Sequence, residues 1–217
     1  MPSERDERLA ALRTQAEELL RADERGASAW ARTERVYGVA RHLARQEEAD
    51  RFVVGVAALL YQLPEAVREQ SLTWLALPDE ATFAVREALL GVLGGVTRGT
   101  SLESRVLWDA TRLDQLGATG IVGALLAAPG GGGEWHERVD PFALMRELDP
   151  ERYPIDRLYA RVATLPHEMQ TPTARALAMR RAGIMLFFLE ALREEFAEGL
   201  PDALLPEGDW LVPREAE

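Results

Sequence analysis

Phe52-Val-Val-Gly-Val-Ala-Ala-Leu-Leu60 is the stretch on which the fold turns. A short run of apolar residues suits a buried strand or a buried helix, and periodicity alone leaves both open. Its alanine content and its neighbours favour helix, and Asp50 stands where an N-cap acceptor belongs. Upstream, Leu9, Leu12, Ala16, Leu19 and Leu20 share one face at helical spacing, with Ser3 placed to cap them. Val36, Ala40 and Leu43 continue that period in a second helix that Ser28 is placed to start.

Working downstream, Pro78-Asp79-Glu80 opens a helix that Gly94-Gly95 ends. The next runs from Ser101 to Gln115, and Gly117 bends the chain into another over 118–128. Asp140-Pro141 and Thr171-Pro172 both read as cap-then-proline helix starts, proline being tolerated where the first amide needs no partner. In the long last helix, Leu177, Ile184, Phe188, Leu192 and Phe196 form the expected core stripe, and Gly199 and Pro201 stop it. No alternating strand pattern or Asn-Gly hairpin dipeptide occurs. The expected fold class is all-α, one helical domain over residues 1–205 with an acidic C-terminal tail over 206–217.

The chain has 217 residues with 36 acidic and 25 basic side chains, a net charge of −11. That balance argues against general nucleic-acid binding and against anionic membranes, which select a basic footprint. Hydrophobic residues at 47% are enough to bury a sizeable core. Cys, Lys and Asn are all absent, so all 25 basic residues are Arg. Thiolate chemistry, zinc ribbons, Schiff-base lysines and the Walker A lysine are thereby excluded. The N-terminus carries no apolar signal-peptide core. The longest uncharged run, Gln115 to Gly133, is too broken by Gly and Pro to span a membrane. A cytoplasmic location is expected.

Gly130 to Gly133 invites comparison with a phosphate loop, but it follows a helix and is not followed by Lys or Ser/Thr. It reads as a connector. His42, His136 and His167 lie in separate segments without metal-ligand spacing; His42 reads as a surface residue, and His136 alone lies in an acid-flanked loop. No G-x-S-x-G elbow supports a serine hydrolase. The five tryptophans, Trp30, Trp74, Trp108, Trp135 and Trp210, read as core or rim anchors.

Two segments then carry a resemblance. Val106-Leu-Trp-Asp109-Ala-Thr-Arg-Leu-Asp114-Gln-Leu-Gly-Ala-Thr-Gly-Ile121 resembles the D-A-D-R-L-D-x-L-G-A-x-G-I segment of HD-domain metal-dependent phosphohydrolases. Met169-Gln-Thr171-Pro-Thr173-Ala-Arg-Ala-Leu-Ala-Met-Arg180, followed by Met185-Leu-Phe-Phe-Leu-Glu190, resembles that group's closing helix. Trp30-Ala-Arg32-Thr-Glu-Arg35-Val36 is similar to its W-H-x-x-R-V entry. Ala57-Ala58-Leu59-Leu60-Tyr61-Gln62-Leu63 is similar to its A-A-L-L-H-D-I signature. The similarity runs in order over roughly residues 1–200 and implies a helical bundle of the HD-domain type.

The same resemblance implies a degenerate metal site. The family's first His falls at Arg32, its His-Asp doublet at Tyr61 and Gln62, and only Asp109 keeps a ligand type. A permanently protonated guanidinium has no lone pair to give and repels a cation. One carboxylate will not hold the metal that water activation needs. The expected reading is therefore a non-catalytic binding or scaffolding protein without a metal cofactor, with self-association through apolar helix faces also open. Arg32, Arg35, Asp109 and Arg112 are its candidates for holding a small phosphate-bearing ligand. The alternative is a Mn- or Mg-dependent phosphohydrolase of nucleotides or phosphoesters, with Asp109, Asp114 and His136 or His167 as relocated ligands. A buried Arg32–Asp109 ion pair is expected where the cation would sit, depressing the Asp109 pKa. The alternative places Arg32 toward a surface acid such as Glu34 or Asp23.

Overall fold

The computed structural model describes residues 3–22, 26–94, 101–127 and 134–198. Among them are nine α-helices and no strand: α1 (Glu4–Ala22), α2 (Gly26–Gln46), α3 (Arg51–Leu60), α4 (Glu65–Leu75), α5 (Asp79–Leu93), α6 (Leu102–Leu113), α7 (Gly117–Leu126), α8 (Pro154–Glu168) and α9 (Pro172–Glu198). The glycine run at 130–133 and the 206–217 tail lie outside the described residues.

The decisive apolar stretch is helix α3. Asp50 caps it, accepting from the amides of Phe52 at 2.8 Å and Val53 at 3.2 Å. Every residue from Phe52 to Leu60 is buried. A helix apolar all round belongs inside, and α3 packs against α1, α2, α5 and α6. Ser3 and Asp6 cap α1 reciprocally, each side chain accepting from the other's amide. Ser101 caps α6 through the Ser104 amide at 3.1 Å.

Two local expectations fail, and a third holds in part. Ser28 does not start α2, which already runs from Gly26. Asp140-Pro141 starts a tight turn rather than a helix. Asp140 does capture the amides of Leu144 and Met145, at 2.9 and 2.8 Å, but no helix follows and Ala143 takes a positive φ of 51°. On α9 the fully buried face is Ala174, Ala178, Ala182, Met185 and Leu189; of the expected stripe, Leu177, Phe188 and Leu192 pack half-buried against that core, while Ile184 is 44% exposed. That helix is apolar on more than one side, and the small alanines allow the closest approach. Two helices, α4 and α8, had no expectation attached to them. Of the tryptophans, Trp30 and Trp108 are buried, whereas Trp74 is 53% exposed.

Candidate functional site

Arg32 and Arg35 lie three residues apart on α2 and so share one face. The carboxylate they meet is Asp114, the C-cap residue of α6. Arg35 binds it with both arms, Nε to Oδ1 at 2.7 Å and Nη2 to Oδ2 at 3.2 Å. Arg32 Nε stands 3.6 Å from Oδ2, beyond hydrogen-bonding distance, and that nitrogen is buried without a hydrogen-bond partner. The bond to Asp114 raises the pKa of Arg35.

These groups line a cleft of about 760 Å³. Its polar side is Arg32, Arg35, Gln62, Asp114 and Arg161; its other wall is apolar, including Val122, Leu126 and Ala127. Gln62, just past α3, is pinned to α2, its Nε2 donating to Ala29 O at 2.9 Å and Thr33 Oγ1 at 2.6 Å. Arg161 of α8 donates to Gly120 O on α7 at 3.2 Å. Burial lowers its pKa, and the neighbouring cations Arg157 and Arg32 lower it further. The cleft thus gathers three guanidiniums around one carboxylate.

The turn that shapes the α7 wall needs two glycines. Gly117 takes φ +72°, and a Cβ on Gly120 would lie 2.2 Å from the Gln115 carbonyl oxygen. Gly120→Ala is therefore expected to push α7 off the α6 turn. The expected loss is about 1–3 kcal/mol, as for overpacking, read by urea denaturation with the helical signal as probe.

Asp109 does not meet Arg32, which corrects the expected ion pair. The Asp109 side chain is fully buried. Its Oδ1 accepts from Gln170 N and its Oδ2 from Thr171 N, both at 2.8 Å, and Oδ2 also takes the Thr171 hydroxyl at 2.7 Å. The carboxylate is spent on the entrance to α9, where amides lacking helical partners favour an anion. The expected depression of its pKa is also overturned. Burial raises it, and the bonds from Gln170 and Thr171 offset this only in part. Arg112 likewise leaves the cleft: its guanidinium stacks on Trp108, 3.2 Å from the ring centroid, and faces Glu168 at 4.0 Å.

The donor chemistry does not suit a divalent metal. Tyr61 is buried, and that burial pushes its hydroxyl pKa up to about 12, so no phenolate is on hand as a ligand. Both Asp109 oxygens are engaged, and Arg32 brings positive charge. The relocated set does not assemble either. Asp114 is held by Arg35, His136 packs edge-on against Trp135 and Phe196, and His167 is exposed. Among the described residues no three His, Cys, Asp or Glu side chains are placed to hold a metal. Sequence reasoning missed Arg161 altogether, because α8 carried no reading and nothing near Arg161 marks it as facing Arg32.

The helical arrangement is the HD-superfamily fold. An HD-superfamily hydrolase from Bacillus thuringiensis superposes with a TM-score of 0.74 over 89% of this chain and 98% of its own, at 23% identity. In sequence the chain is similar to YpgQ of Bacillus subtilis (strain 168), 28% identical over 204 residues that cover 85% of this chain and 91% of YpgQ. The crystal structure of YpgQ in complex with ADP matches with a TM-score of 0.69 at 24% identity, covering 90% of this chain and 96% of that one. No protein-family profile matches the chain. Among the described residues no helix is long and apolar enough to cross a membrane.

Proposed function

We propose that the protein binds a small phosphate-bearing ligand of nucleotide type in the α2–α7 cleft, without hydrolysing it and without a catalytic metal. The observation that carries this reading is the convergence of Arg32, Arg35 and Arg161 on one cleft against the single carboxylate of Asp114. Guanidinium forks match phosphate oxygens. An anion beside Arg161 and Arg32 compensates charges that Asp114 balances only in part. The apolar wall of Val122 and Leu126 suits a base or similar ring, and the volume lies within the range of small-molecule sites. The ADP complex of YpgQ supports the same class of ligand.

Calorimetry with ADP, adenosine and inorganic phosphate tests this. ADP is expected to bind, adenosine much more weakly. Arg32→Ala and Arg161→Ala should each weaken ADP roughly tenfold, the usual worth of one charged hydrogen bond. Absence of ADP binding at millimolar concentration overturns the ligand. Stoichiometric tightly bound metal together with Mn²⁺- or Mg²⁺-dependent phosphoester turnover overturns the non-hydrolytic part and favours an active phosphohydrolase.

A further inference from the structure

Asp114 is one carboxylate among Arg32, Arg35 and Arg161, and Arg35 already holds it with both arms. Arg32 Nε is buried without a hydrogen-bond partner. The facing wall is the apolar side of α7, where Leu126 is 80% exposed and Val122 55%. An occupant of this cleft therefore needs an anionic group on one side and a ring or large apolar side chain on the other.

One stretch of the chain carries both in adjacent residues. Pro206-Glu-Gly-Asp-Trp-Leu-Val-Pro-Arg-Glu-Ala-Glu217 holds four acids and one arginine, and Trp210 follows directly on Asp209. This segment lies outside the described residues, but the point from which the chain departs toward it does not. Helix α9 ends at Glu198. Phe196 near that end lies 5.7 Å, ring to ring, from Trp135, and the Trp135 carbonyl accepts from Ile155 N at the start of α8 at 3.1 Å. Arg161 stands six residues farther along α8, about 9 Å of helical rise. A second landmark agrees. Arg181 of α9 bonds the Leu113 carbonyl, next to Asp114, and the helix from there to Glu198 is about 25 Å long. The eleven residues from Gly199 to Asp209 span up to about 36 Å when extended. The reach suffices by either path.

We propose that Asp209 and Trp210 fold back into the cleft of their own chain, the carboxylate on Arg161 and Arg32 and the indole on the wall of Val122 and Leu126, and compete there with the nucleotide-type ligand. The competition rests on the ligand reading above; the docking rests on the charge and shape of the cleft. A tether of this length keeps the segment at about millimolar concentration around its target. A contact with a Kd of about 0.1 mM then fills the cleft about nine-tenths of the time, and a competing ligand binds about tenfold more weakly. The segment is thus an internal brake on the site, released by whatever ligand binds well enough to displace it.

Calorimetry and fluorine NMR on the full chain test it. ADP is expected to bind the double variant Asp209→Ala/Trp210→Ala about tenfold more tightly than the wild type. In protein labelled with 5-fluorotryptophan, the Trp210 resonance, assigned through Trp210→Phe, should differ from that of the free 206–217 peptide. Added ADP should move it toward the peptide's value, and so should Arg161→Glu with no ligand present. Circular dichroism of each variant confirms that it is folded. ADP binding to neither the wild type nor the double variant overturns the ligand and the competition with it, and the response to Arg161→Glu still decides the docking. Equal ADP binding to both, with the Trp210 resonance at the free peptide's value, overturns the docking and leaves the ligand reading standing. A resonance that shifts only as the chain is concentrated puts the segment in a second copy's cleft and overturns the tethered form.

Discussion

Asp109→Ala should lower the unfolding free energy by about 3–5 kcal/mol, since it strands three buried donors at about 1–3 kcal/mol each and leaves a small cavity that water relieves in part. Those donors are Gln170 N, Thr171 N and the Thr171 hydroxyl, which Asp109 holds to α6. Urea denaturation measures the loss. Asp109→Asn separates hydrogen bonding from charge, because its amide NH₂ must point at another N–H donor, and it is expected to be destabilised as well. The pH dependence has a definite sign. Because burial raises the native pKa of Asp109 above its ordinary value of 3.8, the native state binds the proton more tightly than the unfolded chain. Its ionisation therefore costs stability, and the cost grows as pH rises from 3.8 through the native pKa. Asp109→Asn should remove that component of the pH profile. An Asp109→Ala variant losing under about 1 kcal/mol, the worth of an exposed contact, would show that α9 is anchored elsewhere.

Arg146→Ala is expected to cost about 3 kcal/mol, the lower end of the range for stripping one partner from a buried ion pair. Asp156 is fully buried at the start of α8, and Arg146 is 23% exposed. Arg146 grips the carboxylate with both arms, the second bond at 2.9 Å, while the Asp149 amide donates to it at 2.7 Å. The pair ties residues 134–153 to α8, and a ring cluster of Trp135, His136 and Phe142 around Phe196 ties the same segment to α9. Removing the cation leaves the carboxylate with one donor. Asp156→Ala should cost somewhat less, because Arg146 is free to turn to water. The double variant should cost less than the sum, and the shortfall measures the pair. Additive losses would mean that the two side chains act independently.

Both effects concern the frame rather than the cleft. The residue that the family resemblance marks as a metal ligand here clamps a helix, and the ligand chemistry proposed for the protein falls to arginines elsewhere. A fold does not carry its chemistry with it; the chemistry resides in the side chains of one site.

Much of the frame was legible from the chain. Asp50 and Ser3 cap the helices expected of them, because capping is settled within three or four residues of sequence. Phe52 to Leu60 reads as a core helix because every neighbour is helical, and the HD-type resemblance rests on motifs in their proper order. Periodicity stopped being informative on α9, where apolar residues occupy both faces and packing alone selects Ala178 over Ile184. The site was less legible still. Arg32, Arg35 and Gln62 do line the cleft, but the carboxylate beside Arg32 is Asp114 and not the expected Asp109. Asp109 and Asp114 are five residues apart on one helix end, so they point in different directions, and the chain alone does not say which one α2 will face. The Arg35–Asp114 bond joins residues 79 positions apart, and the Asp109–Thr171 bond joins residues 62 apart. Local sequence determined seven of the nine described helices, the caps of two of them and the supply of arginines. The tertiary fold decided which carboxylate is neutralised by charge and which by helix amides, because that choice depends on where separate helices come to rest.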